Sequence, residues 1–164
     1  MKRKIIQEIG FTLVEITAVL MITGIVALAA GTGAVKVVEA MVFTRINATT
    51  IQKAQFAMKK LAKEFNNISA VNAATANSLT FTSYHAGISG SYTVALSGGT
   101  VTFAGDTLTD QVSAFALSYY DTYDGTAQTT WQPSRRIIGI DLSLTGANNV
   151  VSQFQARVAP RNLQ

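Results

Sequence analysis

One carboxylate stands out for its surroundings. From Gly10 to Val35 the chain reads GFTLVEITAVLMITGIVALAAGTGAV, and Glu15 is its one ionisable residue. An acid inside a membrane helix costs about 2.5–3.5 kcal/mol on insertion scales, so such residues persist where a partner offsets that cost. A cut after Gly10 would create a new α-amino group on Phe11. Residues four apart share a helix face, which puts that amine one turn from Glu15. It could pair within the chain or with Glu15 of a neighbouring subunit. The chemistry this spacing points to is charge pairing in lipid.

The other reactive side chains form no catalytic set. His85 is the single histidine, in a Gly/Ser-flanked stretch, and reads as a turn residue. The glycines at 87, 90, 98 and 99 fall between β-type runs, whereas a phosphate loop precedes a helix. No Ser-His-Asp order with supporting motifs occurs. The longest stretch without periodicity is Asp121–Ser134, DTYDGTAQTTWQPS. Its Asp121 and Asp124 could offer oxygen ligands to calcium, but an Asp-Gly turn explains that spacing better. Trp131, the one tryptophan, reads either as an interface anchor or as a cap on a sheet edge. Without cysteine there is no disulfide framework or thiolate metal site. The expectation is a protein without cofactor that is not an enzyme.

The element that must position Glu15 is a helix. Phe11–Val35 would be roughly 37 Å long at about 1.5 Å per residue, enough to cross a hydrocarbon core of about 30 Å. Lys2, Arg3 and Lys4 precede it, which predicts a cytoplasmic N-terminus and translocation of the chain beyond residue 36 or so. After Val35 the apolar residues take up helical spacing. Val35, Val38, Val42 and Ile46 recur at three and four, and Ile51, Ala54, Met58, Leu61, Phe65 and Ile68 continue after a phase shift near Asn47–Thr50. The pattern predicts one helix from Phe11 to Ile68, its second half packing a sheet on that stripe. Gly31-Thr32-Gly33 allows a local kink or close packing of small residues against adjacent helices.

Beyond Ala70 the periodicity shortens to two. Ser78–Tyr84, Ser91–Leu96, Thr100–Ala104, Ala114–Tyr120, Arg136–Leu144 and Val150–Val158 read as six strands. Ser97-Gly98-Gly99 is a hairpin turn, and Gly105-Asp106 closes the strand before it. One antiparallel sheet with a helix on one face is an α+β fold. The expected organisation is a leader over 1–10, a transmembrane half-helix over 11–35, an amphipathic half over 36–70 and a β domain over 71–164.

Charge narrows the partners. The formal net charge is +4, but Lys2, Arg3, Lys4 and Glu8 carry a net +2 of it. Past Ala70 the chain has four arginines and five aspartates. That is no basic stripe for a phosphate backbone, so no nucleic-acid partner is expected.

Gly10-Phe11-Thr12-Leu13-Val14-Glu15, behind a short basic leader and ahead of an apolar helix, resembles the class III signal of type IV pilins and pseudopilins. The resemblance implies cleavage between Gly10 and Phe11 by a membrane prepilin peptidase, N-methylation of Phe11 by the same enzyme, and docking of Glu15 against a neighbour's N-terminus. The helix departs from many major pilins, which carry a proline where this chain has Gly31-Thr32-Gly33. Over residues 78–162 the runs LTFTSY, Ser-Gly-Gly, FALSYYD, Arg135-Arg136 and Arg157-Val158-Ala159-Pro160-Arg161-Asn162 loosely resemble J-type minor pseudopilins and W-type minor pilins. The implied role is a minor structural subunit of a type II secretion pseudopilus or type IV pilus. Its partners would be the prepilin peptidase/methyltransferase, other subunits and membrane lipid. Its place would be the bacterial inner membrane, with the β domain periplasmic, and then the filament. The alternative is a membrane-anchored binding or adhesion module.

Overall fold

The computed structural model describes the backbone of residues 11–85 and 88–163, and their side chains apart from those of 84, 85, 88 and 89. The chain is α+β. Helix α1 (Leu13–Asn66) is followed by strands β1 (Ile68–Ala74), β2 (Ser78–His85), β3 (Ile88–Ser97), β4 (Thr100–Phe103), β5 (Asp106–Thr109), β6 (Val112–Tyr120), β7 (Ile137–Thr145) and β8 (Val151–Val158). Two compact units divide between Val42 and Phe43.

The single sheet expected from the strand pattern is in fact two. The order β1-β2-β3-β4-β5 makes one and β6-β7-β8 the other, all antiparallel. Two strands had no clear pattern. β1 (ISAVNAA) follows the helix after one residue, Asn67, and lacks clean alternation. β5 (DTLT) has four residues, and Asp106 opens it instead of ending β4. The hairpins follow local chemistry. Gly98 and Gly99 both take positive φ (56° and 78°) between β3 and β4, the conformation of a type I′ turn. Ala104 and Gly105 repeat it between β4 and β5, at 54° and 91°.

One continuous core joins the second half of α1 to both sheets. From the helix it takes Ala54, Ala57, Met58, Leu61 and Phe65, which meet Phe81, Val94 and Val101 of the larger sheet and Leu117, Tyr119, Ile138 and Leu142 of the smaller. Phe65 and Phe81 meet edge-on at 5.6 Å between centroids, a geometry aromatic quadrupoles favour. The Tyr119 hydroxyl donates to the Thr75 carbonyl at 2.9 Å, tying β6 to the turn after β1. Burial pushes that phenol's pKa up, so it stays a donor throughout the accessible pH range.

The helical stripe is core over a shorter length than its spacing predicts. Val35, Val38, Val42, Ile46 and Ile51 are exposed, whereas Thr50 and Ala57 are buried. From Phe43 onward the first buried residue is Thr50, and a Cβ built at Gly146, in the link between β7 and β8, would lie 3.6 Å from its hydroxyl. Asn47 instead spends its side chain on a distant loop, accepting from the Ala147 amide at 3.0 Å. The helix ends at Asn66, whose carbonyl accepts from the Arg161 amide at 3.1 Å. This satisfies one of the acceptors that every helix end leaves open.

Candidate assembly site

The N-terminal half of α1 explains itself from its first turn. Thr12 precedes the helix, and its hydroxyl accepts from the Glu15 amide at 3.2 Å. The Thr12 carbonyl also accepts from the amides of Glu15 and Ile16 at 3.1 and 3.2 Å. Thr12 is therefore a side-chain cap, and Thr12-Leu13-Val14-Glu15 has the spacing of a capping box. Glu15 stands in the first turn, where the helix dipole favours a negative charge. The T-x-x-E signature was readable in the sequence, and the charge argument alone passed over it.

No described side chain covers this surface. Every residue from Phe11 to Ile46 is exposed, although Phe11, Leu13, Val14, Ile16 and Val19 are large and apolar. Thr17 and Thr32 hide their hydroxyls by donating to carbonyls of the preceding turn, Thr17 to Val14 at 2.8 Å and Thr32 to Ala29 at 3.1 Å. Threonine is thereby compatible with an apolar surround. The helix runs unbroken through Gly31-Thr32-Gly33, with no melted turn. A methyl group built on Gly24, Gly31 or Gly33 would meet nothing within 4 Å. These small residues leave shallow notches on the helix surface. Gly10 and the basic residues before it lie outside the described residues.

The loop between β6 and β7 carries the remaining candidates. Trp131 is half-buried and meets Tyr119 edge-on at 5.6 Å, against the core. The Asp121 carboxylate accepts from the Ser134 hydroxyl at 3.3 Å, and Arg135 Nε lies 3.9 Å away. Asp124 is exposed beside the turn closed by the Gly125 amide donating to Thr122. Among the described residues, no three His, Asp or Glu side chains gather as a metal site. Two arginines that the spacing did not single out organise this region. Arg135 is buried, and its Nη1 donates to Thr130 at 3.3 Å. Arg157 lies over the rings of Tyr120 (4.4 Å) and Tyr123 (5.4 Å), and donates to the Tyr123 carbonyl. The residues that make this clamp are far apart in sequence, so no local pattern marks it.

A single N-terminal helix, long and apolar enough to cross a membrane, leads to an antiparallel β domain. That is a pilin-like architecture, compatible with a single-pass anchor. No protein-family model, no curated protein and no solved structure matches the chain.

Proposed function

We propose that this chain is a minor pilin or pseudopilin, a structural subunit of a type IV pilus or type II secretion pseudopilus. In this reading a prepilin peptidase cuts after Gly10 and methylates the new terminus at Phe11. The subunit then waits in the inner membrane as a single-pass protein, with its β domain periplasmic. Assembly moves the helix out of lipid and among the helices of other subunits.

The observation that carries the reading is Glu15. It is the one ionisable residue of the apolar stretch Gly10–Val35, and it is exposed, as are its neighbours along the described helix surface. In lipid a carboxylate there is costly. Opposite the terminal amine of a neighbouring subunit it becomes one half of an ion pair in a low-dielectric surround, where attraction is strong. The exposed Val35, Val38 and Val42 offer further apolar surface for the same bundle. A signal anchor would explain the apolar span, and the capping position accounts for an acid in the first turn, but neither supplies the acid with a counter-charge in lipid.

The test is the mature N-terminus. The full chain is expressed in a host with an active prepilin peptidase, extracted from membranes and weighed by mass spectrometry. The expected species begins at N-methylated Phe11. A mature protein that still carries Met1–Gly10 overturns the reading. Glu15→Val in the processed protein should abolish incorporation into sheared filaments, and normal incorporation would remove the charge pair from the account.

A further inference from the structure

The smaller sheet treats its two edges differently. The β6 edge is occupied: Leu117 donates to the Ala76 carbonyl at 2.6 Å, and Tyr119 and Gln128 exchange backbone hydrogen bonds. β8 is the other edge, paired to β7 at eight successive positions without a bulge. Among the described residues, no backbone hydrogen bond from outside the sheet reaches Val151–Val158. Natural edges are blunted by lysine, proline, bulges or a covering element. β8 (VSQFQARV) has one charge and no proline, so it is long, regular and open.

Hollows flank this edge on both faces. On the core side, a groove of about 300 Å³ runs between α1 and β8, walled by Met58, Ala62, Phe154 and Ala156, with exposed Lys59 beside them. On the outer side, a trough of about 380 Å³ is lined by Tyr120, Tyr123, Asp141, Gln155 and Arg157. Gln155 borders both hollows. A strand added to β8 would send alternate side chains into each. One set would meet apolar walls. The other would meet a guanidinium already held between two tyrosine rings, with Asp141 one strand further in, opposite Gln155.

We propose that the β8 edge binds an extended segment of a different protein, in which apolar residues alternate with acidic ones. The binding mode is strand addition, with main-chain pairing for affinity and the flanking hollows for selectivity. The charge on the outer face sets the sign of the residues that enter the trough, since Arg157 is the one charge on the edge strand, whereas Asp141 lies on β7, one strand further from the edge. A second copy does not supply the match. Its own β8 has no carboxylate, and its β5 carries Asp106 and Leu108 on the same face instead of opposite faces. This proposal stands apart from the filament reading, because it concerns the β domain alone.

The test uses the full chain in detergent micelles and a fluorescein-labelled octapeptide alternating valine with glutamate. Saturable binding by anisotropy is expected. N-methylation of alternate backbone nitrogens, which blocks strand pairing but keeps the side chains, should weaken it at least about tenfold. Arg157→Glu should weaken the glutamate peptide by about tenfold or more and strengthen a lysine-for-glutamate version. Gln155→Glu, at an exposed position, should weaken the glutamate peptide with the fold intact. Absence of saturable binding, equal binding of the N-methylated peptide, or indifference of both variants to peptide charge would each overturn the proposal.

Discussion

Thr12 and Glu15 are joined through both the main chain and a side chain of the cap. The Glu15 amide points at the Thr12 carbonyl (3.1 Å) and at the Thr12 hydroxyl (3.2 Å). Glu15, which we propose pairs with a neighbouring subunit, is thus also the third residue of a capped helix. Its backbone is fixed before any partner arrives, so pairing costs little ordering of the turn.

Replacing Thr12 separates the cap from the charge. Loss of an N-cap hydroxyl costs about 0.5–2 kcal/mol of helix stability. In Thr12→Ala, amide exchange at Glu15 should speed up by roughly 2- to 30-fold, as that cost implies for local opening. Thr12→Ser should exchange like the parent. Equal rates in all three proteins would show that the hydroxyl contributes nothing.

Two phenylalanines on the same helix should behave oppositely. Phe65 is fully buried against Phe81, while Phe56 is 64% exposed. Phe65→Ala should cost about 3–5 kcal/mol, enough to unfold the β domain or lower its melting temperature sharply. Phe56→Ser should stay within about 0.5 kcal/mol of the parent. Circular dichroism melts of the two variants in the same detergent decide this.

Gly139 makes room for a neighbour. A Cβ there would strike the Ser118 hydroxyl and come within 2.8 Å of the Tyr120 ring. The Tyr120 hydroxyl is also 3.1 Å from that of Ser118, so the ring has little freedom to retreat. Gly139→Ala should therefore destabilise by about 1–3 kcal/mol, as overpacking does. It should also push Tyr120 off the Arg157 guanidinium. A thermal melt, read with the tyrosine near-ultraviolet circular dichroism signal, tests both effects.

Acid should weaken one tether between the helix and the link that joins β5 to β6. Lys53 donates to Asp110 at 2.7 Å, and that hydrogen bond holds the carboxyl below its ordinary pKa. A depressed pKa contributes stability that is complete above the unfolded value, near pH 4, and fades as pH falls through the lower folded value. Both side chains are about half exposed, so solvent screening keeps the effect below about 1 kcal/mol. Asp110→Asn should lower the melting temperature slightly at pH 7, where the pair is complete, and converge with the parent below pH 4, which flattens the acid limb of the profile. A difference that persists undiminished in high salt would contradict the ion-pair account.

Much of the fold was legible because its periods are local. The helix from Leu13 to Asn66 lies within two residues of the expected span at either end. Six strands fall where apolar residues alternate. What the sequence could not express was pairing. Whether β5 continues to β6 in one sheet depends on the bend at Gln111, a non-glycine residue at φ 58°, which no composition signal announces. Burial along the helix was equally non-local. Ile51 fits the stripe by spacing yet is exposed, while Thr50 is buried with its hydroxyl turned onto the Ile46 carbonyl. At the candidate assembly site, Glu15 was visible as a charge out of place, and its cap was visible as a motif. The Arg157 clamp was not, because Tyr120, Tyr123 and Gly139 converge only once β6, β7 and β8 have met.

The strand order has a consequence for how such a chain is made. Every ladder in both sheets joins a strand to the one synthesised immediately before it. Closing short loops is fast and entropically mild. A polypeptide emerging from ribosome or translocation channel can therefore zip each hairpin as it appears, onto a helix already complete. No strand has to wait for a distant mate. Each arriving strand covers the margin that its predecessor left open, which shortens the time for which any inner strand could catch a neighbour.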